Sequence, residues 1–178
     1  ATVVGRTAAT QRTLVERMQG RALIAYDQNI RLNVEPRLEV WRTQIEWMLP
    51  RTQLLKVSDE DLRLVWPGLA PAEFAARALA QGVALVVVTR GGEGASGWTA
   101  AAQVDVPPVK VAVVDTVGAG DTFQAALLTW LAEHDALAAA SLAALSKDAL
   151  AEALGFAARA AAITCSRRGA DLPRRAEL

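Results

Sequence analysis

The chain has 178 residues, 52% of them hydrophobic, and its 19 basic and 19 acidic side chains give a formal net charge of zero. This composition predicts a folded domain with a substantial core and excludes an intrinsically disordered chain. The charges are scattered, so no basic stripe points to nucleic acid or to an anionic membrane as a partner. The apolar stretches stop well short of the roughly 20 residues that span a bilayer.

The sequence contains one cysteine, Cys165, and one histidine, His134. A single cysteine excludes an internal disulfide framework, and the N-terminus shows no signal-peptide pattern, so we expect a cytoplasmic protein. Neither residue has the partners of a zinc site, and no Gly-x-Ser-x-Gly elbow indicates a hydrolase. Cys165 is expected to be a small core residue, and His134 is expected at the end of a helix.

The predicted elements alternate between helices and strands along the chain. Helices are predicted over residues 6–20, from Pro36 to before Pro50, after Ser58, and over 71–81, 122–131, 136–145 and 147–165. Strands are predicted over 22–26, 53–57, 84–89 and 111–115, and a weaker alternation through Trp98 to Val106 predicts one or two antiparallel edge strands. In the first helix, Leu14, Val15 and Met18 are expected to point inward. The alternation predicts an α/β fold with a mainly parallel, doubly covered sheet.

The most informative stretch is a glycine-containing turn between the predicted strand ending at Asp115 and the helix that follows. Gly118, Ala119 and Gly120 have almost no side chain, so a ligand can approach their N–H groups, where the helix dipole also favours an anion. Asp121 follows directly, and a carboxylate there can take a proton from a nucleophile. The turn therefore indicates group transfer to a hydroxyl.

A structural interpretation of the same turn stays open on these residues alone. Asp121-Thr-Phe-Gln124 fits a capping box, in which Asp121 caps the helix and Gln124 reaches back to it. Short motifs also match by chance.

Three further polar or glycine-rich segments follow predicted strands, where parallel sheets bind ligands. Asp27-Gln-Asn-Ile-Arg31 is either a binding loop or a turn built on Asn29. Ser58-Asp-Glu-Asp61 is either a helix cap or a set of carboxylates for hydrated Mg²⁺ beside phosphates. Thr89 to Gly94 is either a hairpin turn or a loop that approaches a nucleotide closely, with the Thr89 hydroxyl as a ligand.

Together these segments resemble, in order, the motifs of the ribokinase-like (PfkB) carbohydrate kinase family. Asp115-Thr-Val-Gly-Ala-Gly-Asp121 is close to the family's C-terminal signature. The weaker matches are Asp27 to Arg31, Lys56 to Asp61, Val88 to Gly94, and Thr164-Cys-Ser-Arg-Arg-Gly-Ala170. The resemblance implies a three-layer α/β/α ribokinase-like core and ATP-dependent phosphorylation of a sugar hydroxyl.

The resemblance also implies a role for each matched residue. Asp121 would be the catalytic base, with the amides of Gly118, Ala119 and Gly120 as the anion hole. The nucleotide site would comprise Lys56, Ser58, Thr89, Gly91, Gly92 and Gly94. The sugar would be met by Asn29, Arg31 and Asp121. Mg²⁺ would be organised by Asp61, and a monovalent cation such as K⁺ by Asp115, Val117 and Gly169.

The sequence departs from the family pattern in three places. Ser58-x-x-Asp61 stands where the family has Asn-x-x-Glu, so the shorter Asp61 would rely more on water-mediated contact. Ala158 occupies the neighbourhood where ribokinases carry an Asn near the adenine. The family's N-terminal half and its small β lid have no counterpart, so residues 1–178 are expected to form the C-terminal part of a single kinase domain.

The sequence is compatible with three functions. The motif forms favour a fructokinase-like sugar kinase whose isolated C-terminal fragment is inactive. A 2-keto-3-deoxygluconate kinase is an alternative, because Arg31 suits an acidic substrate. The third is a nucleotide-binding remnant or interaction module without catalysis. The partners expected for the whole enzyme are a sugar and ATP, with a homodimer as a candidate assembly.

Overall fold

The computed structural model describes residues 3–178, and the chain divides into two compact units, Ala1–Val88 and Thr89–Leu178. Residues 1 and 2, which the predicted domain 1–178 includes, lie outside the described residues. Five strands form a mixed sheet in the order β1-β2-β3-β4-β5. They are β1 (Ala25–Asp27), β2 (Leu54–Ser58), β3 (Leu85–Thr89), β4 (Ala95–Trp98) and β5 (Gln103–Val106).

Residues 3–88 of the first unit carry four α-helices: α1 (Gly5–Met18), α2 (Leu38–Met48), α3 (Asp59–Val65) and α4 (Pro71–Ala80). The first four residues of β2 and of β3 are buried, and the continuous apolar run of β3 predicts this burial. β1 runs parallel to β2 and places Asp27 opposite Lys56. Ser58 caps α3, because its Oγ accepts the N–H of Asp61 at 3.0 Å. The predicted cap at Ser58 is therefore confirmed.

The orientation predicted for α1 is wrong for two of its three residues. Val15 is buried, but Leu14 is 57% exposed and Met18 is 37% exposed. α1 is fastened instead by a polar contact, in which the guanidinium of Arg12 donates to Oε1 of Gln44 on α2 at 2.9 and 3.1 Å. A contact between two polar side chains leaves no trace in the hydrophobic period on which the prediction depended.

The second unit holds an antiparallel hairpin and three α-helices: α5 (Ala119–Glu133), α6 (Ala139–Ala143) and α7 (Lys147–Cys165). The hairpin pairs β4 with β5, so the predicted antiparallel pair is confirmed and the sheet is mixed. A Cβ at Gly97 would lie 2.8 Å from Cδ1 of Leu154, so α7 packs directly on the hairpin. α5 and α7 are joined by a buried contact of 3.0 Å between the hydroxyls of Thr122 and Thr164.

Residues 111–115, predicted as a strand, are irregular in the structure. Val113 and Val114 are 65% and 61% exposed, so this run does not enter a core. The N–H groups of Val114 and Asp115 both donate to the carbonyl of Cys165, at 2.8 and 3.2 Å. The end of α7, and not a neighbouring strand, thus satisfies this backbone, and β-branched composition alone is insufficient to make a strand.

No helix within residues 3–178 is both long enough and apolar enough to cross a membrane.

Candidate functional site

The glycine turn ends in a left-handed residue that starts α5. Gly118 has a φ of 81° and is the N-cap of the helix. A Cβ at this position would lie 2.9 Å from Cβ of Ala170, so both the conformation and the space call for glycine. Helix geometry leaves the N–H groups of Gly120 and Asp121 without intrahelical acceptors. The turn therefore directs open amides and the positive end of the dipole of α5 to one point.

One amide predicted for the anion hole is already engaged. The N–H of Ala119 donates to the carbonyl of Thr116 at 3.2 Å, a bond that closes the turn. Of the three amides predicted there, those of Gly118 and Gly120 are therefore the better candidates to bind an anion.

The capping-box interpretation of Asp121 does not hold in the structure. Asp121 is the third residue of α5 and not its N-cap, and no side-chain cap is formed at this end. Its carboxylate is exposed and accepts no hydrogen bond from another group within residues 3–178. It is therefore free to accept a proton from a bound hydroxyl.

Asp115 ties the turn to the loop that follows α7. Its Oδ1 accepts the N–H of Val117 at 3.0 Å, and its Oδ2 accepts the N–H of Gly169 at 2.9 Å. These N–H groups, with Val117 first, hold the pKa of the Asp115 carboxyl below its usual range. A segment more than 50 residues downstream thus helps to fix the turn.

This clamp predicts a dependence of stability on pH. Because the folded pKa of Asp115 is depressed, its stabilisation is present above about pH 4 and is lost as pH falls through the folded value. We expect Asp115→Asn to be less stable than the unsubstituted chain at pH 7, with a difference that shrinks towards pH 2. Urea unfolding midpoints measured across this range check it, and two parallel curves would contradict the role of the ionised carboxylate.

A cavity of about 260 Å³ lies beside the turn, with all its lining residues in the second unit. It brings four of the residues predicted for the nucleotide site, Thr89, Gly91, Gly92 and Gly94, together with Ala119 and Gly120 of the turn. Sites for small molecules usually measure about 300–1,000 Å³, so this cavity suits part of a nucleotide. Two separate sequence motifs therefore line one cavity.

Sequence reasoning missed much of this cavity's wall. The missed residues are apolar or small, and comprise Pro108, Val109, Val111, Val113, Phe123, Ala161, Ala162 and Cys165. Ala158, which the family resemblance places near the adenine, lines the cavity too. One signal was available, because positions 158, 161, 162 and 165 share one face of a helix. Cys165 was expected in the core but is only partly buried and lines the cavity.

A second set of predicted residues lies in the first unit, and Lys56 and Ser58 already have partners there. Lys56 is 3% exposed, and its ammonium contacts Oδ2 of Asp27 at 2.6 Å. The hydroxyl oxygen of Ser58 accepts the hydrogen bond that caps α3. Sequence reasoning missed the role of Asp27, although the parallel register of β1 and β2 would have paired it with Lys56.

Asp61 is a buried carboxylate whose Oδ2 accepts the N–H of Ile30 at 3.3 Å. Burial raises the pKa of Asp61, so a cation that binds there would also relieve the cost of its charge. Within residues 3–178, no three His, Cys, Asp or Glu side chains form a metal-binding group. A single carboxylate nevertheless fits Mg²⁺ that is held largely by water and phosphate.

Two of the three residues predicted to contact the sugar, Asn29 and Arg31, are exposed at the end of this segment. Asn29 has a φ of 44°, and the Arg31 guanidinium donates to the carbonyl of Ile30 at 2.8 Å. Both side chains are accessible to a ligand.

Comparison with known proteins identifies the class. A sequence profile described as pfkB family carbohydrate kinase matches residues 13–176. The chain belongs to this family of carbohydrate kinases.

Among curated relatives, a fructokinase from Rhizobium leguminosarum bv. trifolii is 40% identical over 143 residues, which make up 79% of this chain and 43% of that protein. The probable fructokinase-4 of Arabidopsis thaliana is 34% identical over 84% of this chain and 44% of that protein. The chain therefore spans less than half the length of these relatives.

Solved structures show the same fold. A double mutant of the fructokinase from Vibrio cholerae O395, bound to fructose, ADP and potassium, aligns with a TM-score of 0.80 and 22% identity over 95% of this chain and 53% of that one. A putative ribokinase II from E. coli, in complex with ATP and Mg²⁺, aligns at 0.67 with 28% identity over 92% of this chain and 48% of that one. The predicted ribokinase-like α/β fold is thereby confirmed.

Proposed function

We propose that this chain is the C-terminal part of an ATP-dependent, fructokinase-like sugar kinase. The observation that carries the proposal is the free carboxylate of Asp121 at the amide-lined start of α5, next to a cavity lined by Thr89 and the glycine loop. Phosphoryl transfer requires positioning and charge stabilisation more than covalent chemistry, and this arrangement offers both.

In the proposed reaction, Asp121 takes the proton of a sugar hydroxyl as its oxygen attacks the γ-phosphorus of ATP. The bond from that phosphorus to the bridging oxygen breaks, and ADP leaves. The amides of Gly118 and Gly120, with the dipole of α5, stabilise the charge on the transferring group. Ala119 shapes the turn through its bond to Thr116.

The remaining predicted residues have roles in binding. Mg²⁺, which offsets charge on the ATP phosphates, would be organised by Asp61. K⁺ would be held by the Asp115 carboxylate with the backbones of Val117 and Gly169. Asn29 and Arg31 would meet the sugar, while Lys56 and Ser58 would support the nucleotide through the segment that they hold in place.

Fructose is the proposed sugar. The 40% identity to the Rhizobium fructokinase supports it, and the Vibrio fructokinase of similar fold was solved with fructose and ADP bound. The even charge balance and single cysteine are in keeping with a cytoplasmic enzyme. Since the chain spans under half the length of its curated relatives, we expect it to bind nucleotide by itself without turning over sugar.

Two measurements test the proposal. A coupled assay of ADP release should show turnover with fructose for a full-length kinase that contains this chain. Calorimetric titration of the chain alone with Mg·ATP should show binding without turnover. Absence of turnover by the full-length kinase with every sugar in a panel would overturn the catalytic proposal, and sugar-independent binding alone would leave a nucleotide-binding module.

A further inference from the structure

The wall that α7 contributes to the cavity has almost no group that can read a nucleobase. Ala158, Ala161 and Ala162 present only methyl groups. Cys165 adds a thiol, which is a weak hydrogen-bond donor. A planar base would find a smooth apolar surface here.

The position of α7 indicates which end of the cavity would take the base. Phosphates belong at the turn, where Ala119 and Gly120 begin α5. Cys165 lies at this end, because its carbonyl accepts the N–H groups of Val114 and Asp115. Ala158 lies seven residues earlier, about 10 Å away along the helix axis. The base would therefore reach the alanine end of α7.

The other walls add few polar groups. Only Thr89 and Thr116 contribute hydroxyls, and Thr116 belongs to the turn at the phosphate end. The glycine loop is largely closed on itself, since the N–H of Gly94 donates to Gly91 at 3.2 Å and its carbonyl accepts the N–H of Arg90 at 2.8 Å. These two bonds already pair four of the loop's backbone groups.

Selectivity between ligands of similar shape depends on polar groups that the wrong ligand leaves unpaired, and apolar pockets discriminate weakly. Adenine and guanine have the same ring outline and differ in their exocyclic groups. We propose that this site accepts ATP and GTP with similar affinity, because the wall at Ala158 and Ala161 selects a purine by shape. The inference rests on the proposed nucleotide site.

Calorimetric titration of the chain with Mg·ATP and Mg·GTP tests the inference. We expect two Kd values within about threefold of each other. A preference for ATP of tenfold or more, about 1.4 kcal/mol, would overturn the inference and leave the kinase proposal intact. Failure of both nucleotides to bind would overturn the inference together with the nucleotide site.

Substitutions on α7 then test where the base lies. Ala158→Asp adds an acceptor facing the cavity, which suits the adjacent N–H donors of guanine better than the edge of adenine. We expect the ratio of Kd values to shift towards GTP by about two- to tenfold, as for one added hydrogen bond. Ala161→Asp is the second variant. Both positions are only partly buried, so we expect both variants to fold. Thermal melting checks that they do.

Ala151→Asp is the matched control. It lies on the same helix, is also partly buried, and is not a lining residue of the cavity. Its ratio of Kd values should equal that of the unsubstituted chain. An unchanged ratio in both cavity variants would place the base elsewhere and overturn the inference.

Discussion

We expect Asp121→Asn to reduce kcat by about 10²- to 10⁴-fold in a full-length kinase that contains this chain, because the amide cannot accept the proton of the sugar hydroxyl. The Kd for Mg·ATP should change by less than about threefold, since the exposed side chain is not part of the cavity wall. Initial rates of ADP release and calorimetric titration measure the two quantities separately.

Asp135→Asn is the control for the loss of one negative charge. Asp135 is exposed just beyond α5, and its φ of 51° suits asparagine. Its kcat should match that of the unsubstituted enzyme. Full activity in Asp121→Asn would reject Asp121 as the base.

The second large effect is expected on stability, from Gly94→Ala. Gly94 has a φ of 93° and a ψ of −148°, a region open almost only to glycine. A Cβ there would lie 2.1 Å from the carbonyl oxygen of Val106, so the backbone of the hairpin must move. Strain and overpacking each cost about 1–3 kcal/mol, and we expect the free energy of unfolding to fall by about 3–5 kcal/mol. Urea denaturation measures it.

Two glycine variants separate the causes. A Cβ at Gly92 meets no atom within 4 Å and its φ is not in the positive range, so Gly92→Ala should alter the free energy of unfolding by less than about 0.5 kcal/mol. Gly68 has a φ of 86°, and a Cβ there would meet no atom within 4 Å. Gly68→Ala therefore introduces backbone strain without a steric collision. If Gly94→Ala is no worse than Gly68→Ala, the contact with Val106 is unimportant.

The parts of the fold that the sequence predicts are those with a strong local signal. A continuous apolar run locates β3, and Ser58 locates the start of α3, because apolar runs and N-caps are both visible in neighbouring residues of the sequence. The strand predicted over 111–115 does not form, because the N–H groups of Val114 and Asp115 donate to the carbonyl of Cys165 and not to a neighbouring strand. The burial predicted for Leu14 and Met18 is wrong, because a polar contact from Arg12 holds α1 in place.

The site follows the same division. Spacing identifies the turn and the glycine loop, and the structure brings both to one cavity. Spacing cannot reveal that Ala119 donates to Thr116, or that the ammonium of Lys56 is paired with Asp27. These contacts depend on the angle of a turn and on the register of two strands. Neither can be read from the identity of a single residue.

The contacts of Asp115 with Gly169, and the tight fit of Gly118 against Ala170, limit how this motif can be transplanted. A peptide of residues 109–133 grafted into another scaffold would carry every letter of the signature. It would lack the downstream amide and methyl group against which the turn is set. Engineers who wish to move this anion-binding turn should therefore transfer the end of α7 and its following loop along with it.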